Sequence, residues 1–333
     1  MKKCTPLILF FLFAISCNSE NILYDVVIKN GIIYDGTGNK SYKRNIAIKG
    51  DKIAYLGNNK NLNGKKIINA DGKAISPGFI NMLSWGYNSL LKDGRSLSDL
   101  KQGVTLEVFG EGTSPGPKGV PGEKEYISFS KSMDSLVEKG VSTNIASFIG
   151  AATLRINTIG YENRLATNKE LDKMRVSVEK AMKEGAMGIG SSLIYAPGDY
   201  ADTNELIEIS KVASKYGGMY ISHMRNEDNK VLEALEELIE ISRQANIHSE
   251  IYHLKASRKA NWNLLDSIIK RVELAQKNGL KITADMYTYN ASSTGLTGVI
   301  PTWVQEGGHR AWINRMKQPK QRKKLINDIR KEL

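Results

Sequence analysis

With 333 residues, of which 41% are hydrophobic and 25% charged, the chain has enough apolar material for a large core and is not a disordered polymer. Lysine and arginine exceed aspartate and glutamate by twelve, 47 against 35, and the excess is spread along the chain apart from a basic run at residues 317–324. Because no nucleic-acid recognition motif accompanies this charge, the sequence favours a solvated basic surface and predicts no nucleic-acid partner.

The first seventeen residues have the pattern of an export signal. Two lysines follow the initiator methionine, an apolar run occupies residues 6–15, and the two cysteines of the chain, Cys4 and Cys17, both lie here. The apolar run is too short to span a bilayer as a helix. A cysteine directly after Ala-Ile-Ser resembles a bacterial lipobox and predicts lipidation of Cys17; an ordinary signal peptide with an incidental cysteine is the alternative. We therefore expect a signal peptide at residues 1–17, a tether at residues 18–23, and an exported lipoprotein anchored to a membrane and facing the periplasm or the cell exterior.

Residues 24–74 have the pattern of short strands separated by glycine turns. Asn-Gly, Asp-Gly and single-glycine breaks separate five apolar runs, as in antiparallel hairpins. These runs lie at residues 25–29, 32–34, 45–48, 52–56 and 66–69. The sequence therefore predicts a small antiparallel β unit.

After residue 74 the pattern changes to apolar strands that alternate with amphipathic helices, which is typical of a parallel α/β architecture. Strands are predicted at residues 79–83, 104–109, 142–149, 187–190, 219–223, 248–254 and 281–286. The main helices are predicted at residues 168–184, 203–216, 229–245 and 262–278. A (β/α)8 TIM-type barrel needs one more strand and helix, whereas the chain continues into a helical stretch at residues 318–333. The expectation is a barrel over residues 75–333 that lacks its last β-α unit.

The histidines can be compared with the rule that the working residues of such barrels follow the C-terminal ends of the strands. His223 and His253 end two consecutive predicted strands. In contrast, His248 begins a strand and His309 lies in a loop. Two imidazoles so placed can share a Zn²⁺ ion, and Glu111, between two glycines after the second predicted barrel strand, is available as a third ligand. Such a zinc site would activate water for hydrolysis; the alternative is two structural histidines and a solvated turn residue.

Two further polar features lie near these histidines in the predicted fold. Lys255 comes two residues after His253, on the same side of the strand by alternation, and either meets a substrate carboxylate or is a surface lysine. Residues 285–294 form a loop rich in hydroxyl and amide groups after the seventh predicted barrel strand. By itself this loop indicates only a polar surface above a barrel.

Four stretches of the chain are rich in glycine, in residues with hydroxyl groups and in charged residues. They lie at residues 27–38 with 76–80, at 184–198, at 220–227, and at 253–255 with 287–294. The second and third, EGAMGIGSSLIYAPG and YISHMRNE, are the most specific. In this combination the chain resembles the N-acyl-D-amino-acid deacylases (D-aminoacylases) of the amidohydrolase superfamily over about residues 24–305. The resemblance implies a β-sandwich subdomain over residues 24–74, a metal-dependent hydrolase barrel, and zinc-dependent hydrolysis of an N-acyl-D-amino acid.

The resemblance also implies roles for individual residues. By resemblance, the residues of the family's tight metal site correspond to Glu111, His223 and His253. Glu111 stands at a bridging position that is often a cysteine in relatives. The substrate contacts carry over to Lys255, Tyr287 and Ser293. The expected cofactor is therefore one Zn²⁺ ion, and the expected partner is a small-molecule N-acylated D-amino acid.

The chain departs from the family pattern in two places. Leu83 and Trp85 stand where relatives have two metal-binding histidines, so we expect no second metal ion. The family's catalytic aspartate and the arginine that holds the substrate carboxylate are expected beyond Leu333, so no catalytic base is assigned within this chain. Two alternatives remain open: a catalytically inactive truncated homologue or lipid-anchored binding protein, and a D-dipeptidase or dihydropyrimidinase-like amidohydrolase.

Overall fold

The computed structural model of the chain describes residues 22–332, which divide after Pro77 into two compact units. The expected signal peptide at residues 1–17, the lipidation of Cys17 and most of the tether at residues 18–23 lie outside the described residues. In the part of the chain that is described, no helix is long and apolar enough to cross a membrane.

The first unit contains one small, mostly antiparallel sheet. Its strands are β1 (Leu23–Ile33), β2 (Tyr42–Lys49), β3 (Lys52–Gly57), β4 (Asn63–Asn69) and β5 (Ala74–Ile75). The order is β3-β2-β1-β4, and β5 pairs with the end of β1. β1, β2 and β3 pair antiparallel, as predicted. The prediction is wrong for β4 and β5, which run parallel to β1 because the chain after β3 crosses to the free edge of β1.

A predicted turn at Asn30 and Gly31 is a bulge inside β1. Asn30 has a φ of 67°, and the pairing register with β2 shifts between Ile28 and Gly31. A Cβ atom on Gly31 would lie only 2.1 Å from the side chain of Ile75. One left-handed residue followed by a glycine therefore gives a bulge and close packing here, and the strand continues.

The second unit alternates parallel strands with helices. Its strands are β6 (Phe79–Asn81), β7 (Val104–Phe109), β8 (Asn144–Ser147), β9 (Ile149–Gly150), β10 (Gly188–Ser192), β11 (Met219–His223), β12 (His248–Ile251) and β13 (Ile282–Ala284). They form the parallel sheets β6-β7-β8 and β9-β10-β11-β12-β13. Only Phe148 separates β8 from β9, so these two correspond to one predicted strand, and the seven predicted strands follow one another in chain order. Within residues 22–332, β6 pairs only with β7 and β13 only with β12.

Helices alternate with these strands, and further helices follow β13. They are α1 (Tyr87–Lys92), α2 (Leu97–Lys101), α3 (Phe129–Lys139), α4 (Ala151–Thr158), α5 (Asn168–Lys183), α6 (Thr203–Lys215), α7 (Val231–Ala245), α8 (Leu265–Lys277), α9 (Thr302–Gln305), α10 (Gly308–Lys317) and α11 (Pro319–Glu332). Short 3-10 turns lie at Gly198–Tyr200, Lys259–Leu264 and Leu296–Val299. The start of α5 is a capping box, in which Thr167 and Glu170 each bond the backbone of the other. The helix predicted at residues 262–278 begins later, as α8, because the preceding segment takes 3-10 geometry.

The main core lies between the sheet β9–β13 and the helices α5, α6 and α7. Met174, Leu206 and Leu235 represent these three helices and are completely buried, as are Ile189 and Ile251 on the strands. Burial of side chains of this size stabilises a fold by about 1.5–3 kcal/mol each before entropy is subtracted. The strand ends that carry the candidate site are therefore held on a well-packed scaffold.

Candidate metal centre

Glu111, His223 and His253 lie together at the C-terminal ends of three strands. One ligand atom from each lies within 4.8 Å of the others. The Nδ1 atom of His223 is 2.9 Å from Nε2 of His253 and 3.3 Å from Oε1 of Glu111, and Nε2 of His253 is 3.9 Å from that oxygen. Ligands bound at about 2.0–2.1 Å in a tetrahedron lie about 3.3 Å apart. These separations therefore suit the binding of one ion.

Local backbone geometry brings Glu111 into this cluster. Gly110 and Gly112, on either side, have φ values of 107° and 67°, which glycine adopts without strain. A Cβ atom on Gly110 would lie 2.4 Å from the carbonyl oxygen of Phe148. The chain after β7 can therefore pass tightly against the break between β8 and β9. As a result the Glu111 side chain is turned inward and is only 8% exposed.

His253 does not lie on a strand, contrary to the prediction. β12 ends at Ile251, and His253 has a φ of 37°. Its backbone N–H donates to Oδ1 of Asp285 at 2.6 Å. Asp285 directly follows β13, and burial raises its pKa to about 6. The other oxygen of Asp285 is buried and has no hydrogen-bond partner among the described residues. Asp285 was not among the predicted site residues. The available signal was its position as a carboxylate at the end of the seventh predicted strand.

Glu227 lies next to the ring nitrogens of His253 and His223 that face away from Glu111. The sequence analysis did not predict it as a site residue. Its Oε1 atom is 2.9 Å from Nδ1 of His253, and its Oε2 atom is 3.7 Å from Nε2 of His223. Lys255 donates to both Glu227 oxygens, at 2.9 and 2.8 Å. A carboxylate that binds the outer ring nitrogen of a ligand histidine fixes its tautomer and orientation. Its position four residues after His223, on the turn that leaves β11, was the available signal.

The electrostatics of the cluster favour a cation. Burial acts against the charge of Glu111, yet the neighbouring imidazoles of His223 and His253 lower its pKa to about 2. Burial also opposes the charge of His253, but Glu111 and Glu227 raise its pKa to about 9. The two carboxylates therefore stabilise positive charge between them. Nε2 of His223 is buried without a hydrogen-bond partner in residues 22–332. Two imidazoles and a carboxylate are the donor set of a catalytic zinc site, so these residues fit a zinc ion.

Two of the three expected substrate contacts lie next to the cluster. Lys255 bonds Glu227, and its Nζ atom is 2.8 Å from Nδ1 of His253. The ring of Tyr287 lies 6.4 Å from the ring of His253 and 5.7 Å from Nζ of Lys255, measured to its centroid. A cation and an aromatic ring therefore border the same side of His253.

Ser293, the third expected substrate contact, makes no hydrogen bond to Glu111, His223 or His253 in the described part of the chain. Ser293 is exposed in the loop after β13. The next residue, Thr294, instead shares a hydrogen bond of 2.6 Å with the hydroxyl of Tyr195. The Tyr195 ring lies 5.7 Å from the ring of His223, so this tyrosine borders the site and was missed. Its place in the stretch at residues 184–198 was the available signal.

Leu83 and Trp85 occupy the segment between β6 and α1. Leu83 packs against a buried cluster that includes Val108 and Tyr252. The indole N–H of Trp85 donates to Oε2 of Glu111 at 2.8 Å. Neither side chain offers a lone pair to a metal, and Trp85 contacts the candidate metal centre directly.

No family model matches the chain, but known proteins do. It is 28% identical over 291 residues to a D-aminoacylase of Alcaligenes xylosoxydans xylosoxydans, which covers 84% of this chain and 60% of the relative. A D-aminoacylase structure described by its binuclear metal centre, with one-metal activation and second-metal attenuation, has a TM-score of 0.72 and 29% identity. An N-acyl-D-glutamate deacylase from Bordetella bronchiseptica, complexed with zinc and a phosphonate inhibitor, has a TM-score of 0.72 and 26% identity. Both structures match 80% of this chain and 59% of their own.

The chain thus spans about three fifths of the length of the relatives it matches. The matches combine sequence identity with a mixed α/β fold and a group of side chains suited to a metal. The chain is therefore a relative of the D-aminoacylases of the amidohydrolase superfamily over about four fifths of its own length.

Proposed function

We propose that the protein hydrolyses the amide bond of N-acyl-D-amino acids in a zinc-dependent reaction. The observation that carries this proposal is the convergence of Glu111, His223 and His253 at strand ends, with their ligand atoms within 4.8 Å of one another. The substrate class follows from relatives named D-aminoacylase and N-acyl-D-glutamate deacylase.

In this proposal Glu111, His223 and His253 hold one Zn²⁺ ion. A bound zinc ion supplies a Lewis acid and lowers the pKa of water. Glu227 orients the His253 ring through the 2.9 Å contact to Nδ1. Lys255 places a positive charge beside the cluster, where it can attract the carboxylate of a substrate amino acid. We assign no general base among residues 22–332.

The proposal includes a finer view of the fold. The seven successive parallel strands are part of a (β/α)8 TIM-type barrel over residues 75–333, in which one further strand lies between β13 and β6. The unpaired outer edges of these two strands support this arrangement. The small sheet at residues 24–74 is correspondingly part of a β-sandwich subdomain.

The proposal also includes a lipid anchor at Cys17 and a place at the periplasmic or outer membrane surface. It rests on the lipobox-like sequence before Cys17. In cells that process lipoproteins, we expect the protein to partition into a detergent phase and to lose this property on Cys17→Ala substitution. Equal partitioning of both forms into the aqueous phase would contradict the anchor.

The test of function combines three measurements on the purified protein. Zinc content is measured first, then binding of N-acetyl-D- and N-acetyl-L-amino acids, and then release of free D-amino acid. His223→Asn is compared with His248→Asn, because His248 lies at the opposite end of β12 and bonds Thr283. We expect the first substitution to abolish zinc binding and the second to leave it unchanged.

The outcomes separate the alternatives. Zinc-dependent release of the D-amino acid, with discrimination against the L-enantiomer, supports the deacylase. Zinc-dependent binding of the D-enantiomer without turnover indicates a binding protein. Preferred cleavage of D-dipeptides or cyclic amides instead assigns the D-dipeptidase or dihydropyrimidinase-like class. Absence of zinc binding by the wild-type protein refutes the proposal.

A further inference from the structure

We propose that Trp85 is a positioning residue that orients Glu111 as a ligand of one metal ion and excludes a second ion from its other oxygen. This inference rests on the proposed metal centre. Trp85 lacks a metal-binding atom and also makes a hydrogen bond to Glu111.

The two oxygens of Glu111 have different surroundings. Oε1 faces the histidines, 3.3 Å from Nδ1 of His223 and 3.9 Å from Nε2 of His253. Oε2 accepts the indole N–H of Trp85 at 2.8 Å. One oxygen is thus directed at the position of a metal ion, and the other is occupied by a hydrogen bond. This arrangement holds a carboxylate in one orientation.

The same contact disfavours a second cation. A carboxylate bridges two metals by giving one oxygen to each, so a second ion would need Oε2 of Glu111. The hydrogen of the indole N–H is the positive end of its dipole, and it points at this oxygen. A second ion would have to displace this hydrogen bond and would find no ligand in the indole ring or in Leu83.

The backbone next to Trp85 is fixed independently of Glu111. The backbone N–H of Ser84 donates to the carbonyl of Val108 at 2.8 Å. The Ser84 hydroxyl donates to Glu107 at 2.8 Å and accepts the backbone N–H of Gly86 at 3.0 Å. Glu107 is only 2% exposed, so this anchor is part of the core. Trp85 is therefore held over Glu111 even though its own side chain is 64% exposed.

The test measures zinc stoichiometry and affinity of the metal-stripped full chain by competition with a chromophoric chelator. Trp85→Phe keeps an aromatic ring and removes the N–H donor. Trp262→Phe is the matched control, because Trp262 is also 64% exposed and lies in the 3-10 turn Lys259–Leu264. A double variant, Leu83→His with Trp85→His, supplies nitrogen ligands at both positions. Far-UV circular dichroism and thermal unfolding check that each variant is folded.

We expect the wild-type protein and Trp262→Phe to bind one zinc ion with the same affinity. Trp85→Phe should still bind one ion, about 10- to 100-fold more weakly, as for other residues that support a ligand. The visible absorption spectrum of bound Co²⁺ should also change in Trp85→Phe, because a freed carboxylate alters its coordination, whereas a loss of stability alone would not alter it. The double variant should bind a second ion.

Two results would overturn the inference while the proposed function stands. One is a Trp85→Phe variant with wild-type zinc affinity and an unchanged Co²⁺ spectrum. The other is tight binding of two zinc ions by the wild-type protein. Absence of any zinc binding by the wild-type protein would remove the proposed metal centre and this inference together.

Discussion

The buried ion pair between Arg155 and Glu205 allows a quantitative test of how the scaffold is held. Arg155 on α4 is 0% exposed and Glu205 at the start of α6 is 3% exposed. Nη1 of Arg155 lies 2.5 Å from Oε2 of Glu205, and Nη2 donates to the carbonyl of Arg164 at 2.7 Å. Burial raises the pKa of Glu205 despite the opposing charge of Arg155. The cost of desolvation is thus not fully offset by the pair.

We predict that Glu205→Leu destabilises the protein by about 3–5 kcal/mol, because the guanidinium stays buried with one carbonyl partner. Glu205→Gln keeps an acceptor and should cost about 1.5–3 kcal/mol. At about 2–4 °C per kcal/mol for a domain of this size, Glu205→Leu should lower Tm by roughly 6–20 °C. The double variant, Arg155→Met with Glu205→Leu, removes both charges and should be more stable than Glu205→Leu alone.

Urea unfolding followed by circular dichroism gives the free energy of unfolding for the wild-type protein, for the single variants Glu205→Leu and Arg155→Met, and for the double variant. The decisive quantity is the coupling energy in this double-mutant cycle. A cost below about 1 kcal/mol for Glu205→Leu would refute the reasoning, since a buried charge cannot lose its partner so cheaply. Additive costs in the double variant would refute it as well, because they would show that the two side chains do not interact.

Three further predictions concern the candidate metal centre and the capping box. Gly110→Ala should weaken zinc binding strongly, because the new Cβ atom would meet the Phe148 carbonyl and displace Glu111. Gly122→Ala is the control: Gly122 also has a positive φ but has no atom near its Cβ position, so this substitution should leave zinc affinity unchanged. Equal zinc affinities in chelator competition would contradict this account of the turn. Glu227→Gln should lower zinc affinity about 10- to 100-fold through loss of the carboxylate that orients His253; an unchanged affinity in the same competition assay would show that this contact does not support the ligand. The hydrogen bond with Arg164 lowers the pKa of Glu170 from 4.5 to about 2, so its stabilising effect should be present above about pH 4.5 and be lost as the pH falls towards 2. Glu170→Gln should therefore be less stable than the wild-type protein at pH 7, with a difference in unfolding free energy that shrinks between pH 4.5 and pH 2; a difference that stays constant over this range would exclude the ion pair as its source.

The sequence alone was sufficient to predict the strands and the longer helices of the second unit, and to select three residues that the structure brings together. Strand and helix positions follow from local hydrophobic periodicity and from glycine turns, so the seven parallel strands and helices α5, α6 and α7 were predictable within a few residues. His223, His253 and Glu111 could be singled out because each follows closely on a predicted strand end, where parallel strands bring side chains together.

Only the tertiary structure decided which other side chains complete the site. Glu227 and Asp285 reach His253 across 26 and 32 positions of the sequence, and Trp85 reaches Glu111 across 26. Such contacts depend on the register of neighbouring strands and on loop geometry, which local propensity does not encode. The same holds for the left-handed backbone of His253 and for the parallel pairing of β4 with β1. Both arise from partners distant in the sequence, and for that physical reason neither could be predicted from the residues around it.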